Sequence, residues 1–204
     1  TPAAVEAMVA ALGGDPEHLE CRIPPRWGAL TRRILAINAV MAGCSADYAR
    51  VVRAAIRAMS EAHFNLNAIQ ATTHLIAPLT IVNGPIRNEI SMNAGHGAFG
   101  PGNRANATIR RAIRLVLLNV GGAQPGVLDK STQGSPAKYT YCVAENEEMS
   151  PWEPFHVNQG FKAEESAISV FITDGELDVQ DQGNVTAEGL LKTIAYGSTF
   201  GTRS

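Results

Sequence analysis

The sequence predicts a single mixed domain, α/β or α+β, with a small sheet flanked by helices. Three observations carry this. Apolar residues recur at helical spacing in several segments, and short β-branched runs lie between them. A long Gly- and Asn-rich loop precedes the longest helix. At 204 residues the chain can bury one sizeable core.

Taken in order, residues 3–12 carry Val5, Met8, Val9 and Leu12 at helical spacing and stop at Gly13-Gly14. Thr1-Pro2 reads as an N-cap followed by proline at the first helical position. Residues 15–28 contain Pro16, Pro24 and Pro25 and read as an irregular, extended arm. This gives a division into 1–28, a helix and arm, and 29–204, the α/β domain. Residues 29–42 form a second helix ended by Gly43, and residues 46–61 a third after Ser45. Residues 66–72 and 75–82 read as strands. Residues 105–120 make the longest helix, stopped by Gly121-Gly122, with Arg104, Arg110, Arg111 and Arg114 in its first half. A Gly/Pro/Ser-rich connection, 123–138, leads to short strands at 139–144 and 167–173. Residues 186–195 form a last helix with Thr186 as its N-cap, and the tail 196–204 is small and polar.

Composition narrows the function. A net charge of −2 gives no global field for nucleic acid or an anionic membrane surface. The longest apolar run, 113–120, is too short to span a bilayer. Three widely spaced cysteines, Cys21, Cys44 and Cys142, with no CxxC pair and no visible signal peptide, fit a reducing cytoplasm. Cys44 reads either as a thiol activated near a helix N-terminus or as a small buried residue.

Three segments carry candidate chemistry. Asn83-Gly84-Pro85 ends a strand, where open α/β sheets collect ligands. Gly100-Pro101-Gly102-Asn103-Arg104 opens the longest helix; free N–H groups and the helix dipole there favour an anion, and Arg104 adds a clamp for carboxylate or phosphate. No P-loop or dinucleotide fingerprint accompanies it. The third segment, CVAENEEMSPWEPFH, places Glu145, Glu147 and Glu148 directly after a strand, with Trp152, Glu153 and His156 beyond. Carboxylates beside a histidine suit proton transfer or a metal ion; the plainer alternative is a solvated acidic loop. His96, between two glycines, is a second histidine candidate.

The segments AINAVMAGCSADYARVV, FNLNAIQATTHLIAPLTIVNGPI, GPGNRANATIRRAIRLVLLNVGGAQPG and YCVAENEEMSPWEPFHV resemble the carboxyl-terminal half of the UGSC-like proteins, over about residues 36–161. That family is named for a Gly-Ser-Cys motif, with selenocysteine in some members, in an amino-terminal region that this chain lacks. Gly43-Cys44-Ser45 has a different order, so no thiol-redox role carries onto a residue here. The resemblance implies an enzyme, and that this chain is either one subunit of a hetero-oligomer whose second subunit carries the amino-terminal region or a processed fragment. Asn83, Gly84, Asn103, Arg104, Asn106, Glu145, Asn146, Glu147, Trp152 and His156 fall in the matching segments.

The resulting expectation is a subunit or catalytic half of a cytoplasmic small-molecule enzyme, of redox or lyase/hydratase type. Glu145, Glu147 and His156 are its catalytic candidates. Asn83, Gly84, Asn103, Arg104, Asn106 and Trp152 are its substrate-binding candidates. The cofactor is left open, with a metal ion as one option. The alternative is a non-catalytic partner of a hetero-oligomer whose chemistry sits on the other chain.

Overall fold

The computed structural model describes residues 1–199. The fold is mixed α and β, as expected. Helix α1 (Pro2–Leu12) is followed by a hairpin, β1 (Leu19–Ile23) and β2 (Gly28–Thr31), then α2 (Arg32–Ala42) and α3 (Ala49–Met59). A short α4 (Leu66–Gln70) precedes β3 (Ala77–Asn83) and α5 (Ile86–Glu89). The long α6 (Arg104–Asn119) leads by a looped connection to β4 (Cys142–Ala144), α7 (Phe155–Asn158), β5 (Ala167–Thr173) and α8 (Ala187–Thr199).

The ends of the main helices follow from single residues. The Thr1 hydroxyl accepts from the Ala4 N–H at the start of α1, and the Thr31 hydroxyl from the Ile34 N–H at the start of α2. Gly43 closes α2 with φ 93°, a left-handed position that glycine adopts without a Cβ clash. Asn103 caps α6, its side-chain oxygen 3.0 Å from the Asn106 N–H.

Helices α1, α2, α3 and α6 share one apolar core with the sheet behind them. Met8, Leu35, Ile56, Met59, Ile109, Ile113 and Leu117 are all buried there. Each such side chain contributes about 1.5–3 kcal/mol through removal from water. The α6 arginines divide by face. Arg110 is wholly inside, its Nε donating to the Pro78 carbonyl at 3.0 Å, and burial pushes its pKa down to about 10. Arg114 is also buried, whereas Arg104 is exposed and Arg111 half-buried.

Three local readings are corrected. Residues 15–28 are not an irregular arm, because β1 and β2 pair antiparallel from Leu19↔Thr31 to Ile23↔Gly28. The hairpin is fixed by Glu20, a buried carboxylate held by Arg32 at 2.8 Å and Arg53 at 2.9 Å. The division expected at residue 28 therefore falls within a hydrogen-bonded hairpin, and α1 shares the core of the rest. Residues 66–70 are helical, not a strand: Leu66, Ile69 and Gln70 are buried on one side at helical spacing. Helix α8 runs through Thr199, so residues 196–199 of the expected tail are helical; the rest of it, 200–204, lies outside the described residues.

The second sheet sets up the site. Its order is β4-β3-β5. Strands β3 and β4 run parallel, with α6 between them in sequence, and Val82 lies beside Ala144. Strand β5 pairs antiparallel on the other side, with Asn83 opposite Ala167. The last residues of β3 and β4 and the first of β5 thus meet at one end of the sheet.

Candidate functional site

Parallel pairing of β3 with β4 brings Asn83 next to Glu145, although 62 residues separate them. The Glu145 N–H extends the ladder to the Val82 carbonyl at 3.1 Å. The Asn83 amide then donates to Glu145 Oε2 and, at 3.1 Å, to Glu147 Oε1. Gly84 turns the chain with φ 79° and points its N–H at Glu147 Oε1, 2.8 Å away. Arg87, on α5, reaches back to Glu147 Oε2 at 2.9 Å and grips Glu148 with both terminal nitrogens, at 2.6 and 2.9 Å.

His156 sits inside this cluster on α7, which Glu145 anchors by accepting the Phe155 N–H at 2.9 Å. Its ring is 2 % exposed, and Nδ1 lies 4.0 Å from Glu147 Oε1. Among the described residues, neither ring nitrogen has a hydrogen-bond partner, and neither does Asn83 Oδ1, which is also buried. Buried polar groups without partners cost about 1–3 kcal/mol each and call for a functional explanation.

The electrostatics are set by the donors. Burial pushes the Glu147 carboxyl up, but the Gly84 N–H, the Asn83 amide and Arg87 together hold it below the usual carboxylate value. It stays ionised at neutral pH. The Arg87 hydrogen bonds lower the exposed Glu148 to about 2.

Asn83, Gly84, Glu145, Glu147 and His156, expected from separate stretches, are therefore brought together. The other expected residues are engaged elsewhere. Asn103 caps α6 and donates to the Ser91 carbonyl. Arg104 donates to the Gly43 carbonyl at 3.0 Å. Asn106 clasps the long loop, bonding the N–H and C=O of Asn93 and the Ala98 carbonyl. Among the described residues, no hydrogen bond or ion pair joins these three to the acidic cluster. Asn103 already occupies the helix-end N–H of Asn106 that an anion would use. Trp152 is 79 % exposed and, among the described residues, hydrogen-bonds only Ser150. His96 is exposed.

Arg87 completes the cluster but was not among the expected site residues. The signal was present: a cation three residues past a strand-ending glycine, and three carboxylates past a second strand. Only the parallel pairing joins them. Among the described residues, no group of three or more His, Cys, Asp and Glu side chains is arranged to hold a metal ion. The carboxylates nearest His156 are instead bound by Asn83, Gly84, Arg87 and Phe155. The cysteines are unpaired thiols. Burial pushes Cys44 up to about 11 and Cys142 up to about 12, which settles Cys44 as a buried, unactivated thiol.

Compared with protein-family models, with curated proteins and with solved structures, the chain matches none.

Proposed function

We propose that this chain is the catalytic half or a catalytic subunit of a small-molecule enzyme of lyase/hydratase type, with His156 as the proton-transfer group. One observation carries the reading: a buried imidazole with two unpartnered nitrogens stands 4.0 Å from a carboxylate held ionised by three donors. Glu147 is then the group that orients and electrostatically supports the imidazole, because a carboxylate so well stabilised is a poor proton donor. Asn83 Oδ1 is a hydrogen-bond acceptor for substrate. Glu145 positions both Asn83 and α7. Lyase/hydratase chemistry is preferred to thiol-based redox chemistry because Cys44 and Cys142 are buried and protonated at neutral pH. The likeness of residues 36–161 to the UGSC-like family supports an enzyme and leaves the reaction open.

The test is turnover of a panel of β-hydroxy and α,β-unsaturated carboxylates, by the chain alone and with any copurifying partner. His156→Asn is expected to cut turnover by about 10²-fold or more while thermal stability is kept. Full turnover by His156→Asn, or no turnover of any panel member by wild type, overturns the assignment.

A second reading, a subunit that docks on another chain, is favoured by the surface around β5 and α8. Helix α8 buries no residue, and Leu191, Ile194 and Tyr196 are exposed on it. Phe171 and Ile172 of β5, Met149 and Trp152 are exposed as well. Exposed apolar side chains are common at interfaces, and aromatic ones concentrate at their energetic centres. On size-exclusion chromatography the purified chain is expected to self-associate or aggregate alone and to become monodisperse with its partner; a well-behaved monomer rejects this reading.

A further inference from the structure

An open cleft of about 670 Å³ lies between α6 and the connection that follows it, sharing no residue with the Asn83–His156 cluster. Its loop is tied to the chain entering β3: the Lys130 N–H donates to the Thr72 carbonyl at 2.8 Å and the Thr132 N–H to the Thr73 carbonyl at 3.2 Å. Asn83 is at the far end of that strand, which at 3.3 Å per residue is roughly 20 Å long.

Three cations line the cleft, Arg111, Arg114 and Lys138, against one carboxylate, Asp129. Asp129 is shared: Lys138 Nζ lies 3.0 Å from it and Arg114 3.7 Å. Arg111 has no carboxylate among the described residues; its guanidinium stacks over the Tyr139 ring at 4.4 Å. Two positive charges are left over in a concave wall. Beside them, among the described residues, the backbone N–H groups of Gln133, Gly134 and Ser135 and the Thr132 hydroxyl donate to no protein acceptor. Excess cations, one of them a planar guanidinium, lining the same cleft as a run of N–H groups without acceptors have the composition of an anion receptor.

We infer that this cleft binds a small molecule through a phosphate monoester. Such a group carries about −1.5 to −2 charge at pH 7 and three acceptor oxygens, which matches the surplus charge and the number of free donors better than a single carboxylate does. The cleft is larger than a phosphate ion, and the Tyr139 ring and Pro136 offer surface to the remainder of the molecule.

Isothermal titration of the whole chain with phenyl phosphate and with benzoate tests this. Phenyl phosphate is expected to bind saturably and at least about tenfold more tightly than benzoate, as a doubly charged, three-acceptor anion should. Arg111→Gln removes a guanidinium that supports no buried carboxylate, so the variant folds; it is expected to weaken phenyl phosphate about tenfold. No saturable binding by wild type, equal affinity for benzoate, or an unaltered Arg111→Gln each overturns the inference.

Discussion

Replacing Arg87 by methionine is expected to lower the free energy of unfolding by roughly 3–5 kcal/mol, the usual loss when one member of a buried ion pair is removed. The Arg87 side chain is 7 % exposed and that of Glu147 is 11 % exposed, so the carboxylate left behind has little water to replace its partner. Glu148 pulls more strongly on the guanidinium's proton affinity. It matters less for stability, because its side chain is 59 % exposed and solvent screens the pair. Glu148→Gln is therefore a mild change and Arg87→Met a severe one. Urea denaturation of both variants checks the ordering, and equal losses contradict it.

The same ion pairs make stability depend on acid. Glu147 and Glu148 are held below the ordinary glutamate value of 4.5 when folded. Their contribution is fully present above that value and is lost as pH falls through the folded one. For Glu148 the window runs from 4.5 down to about 2. Arg87→Met should flatten this acid limb, measured as thermal midpoint against pH.

Gly84→Ala is the second large change, expected to cost roughly 2–5 kcal/mol. A left-handed residue with a Cβ loses about 1–2 kcal/mol, and crowding a packed site adds about 1–3. Here the added Cβ would overlap the Glu165 carbonyl oxygen and stand 2.8 Å from Ser166 Cα, both backbone atoms that cannot swing aside. Gly97→Ala is the control. Its φ of 67° is also positive, but a Cβ there opens on free space, so only the backbone cost applies. Equal destabilisation of the two variants would show that crowding at Glu165 plays no part. Because the Gly84 N–H binds Glu147, only Gly84→Ala should also disturb the environment of the His156 ring.

Much of the fold was legible because its long helices obey simple rules. The cap at Thr1, glycine after α2 and the wide apolar stripe of α6 are local signals. The β1–β2 hairpin was hidden because its turn uses none of the usual chemistry: a cis Pro24–Pro25 bond and Trp27 at φ 56° stand where an Asn-Gly pair would announce a hairpin. Residues 66–70 are a short apolar run, for which periodicity does not separate strand from helix. In the site, Asn83 and the glutamates could be read as strand-end polar groups. Arg87 could not be assigned to them, because its partners are 60 and 61 residues away and meet it only through the order of strands in the sheet. Asn103, Arg104 and Asn106 have structural work instead: Asn103 and Asn106 pin the long loop at Ser91, Asn93 and Ala98, and Arg104 ties the start of α6 to Gly43 at the end of α2.

That separation along the chain has a kinetic side. Bringing together groups some sixty residues apart costs loop-closure entropy before any bond repays it, whereas the neighbouring turns of α2 and α3 can form locally. Until β3 and β4 pair, Glu147 lacks the Asn83, Gly84 and Arg87 donors that hold it below the usual carboxylate value, so its ionised state belongs to the completed sheet and not to the local chain.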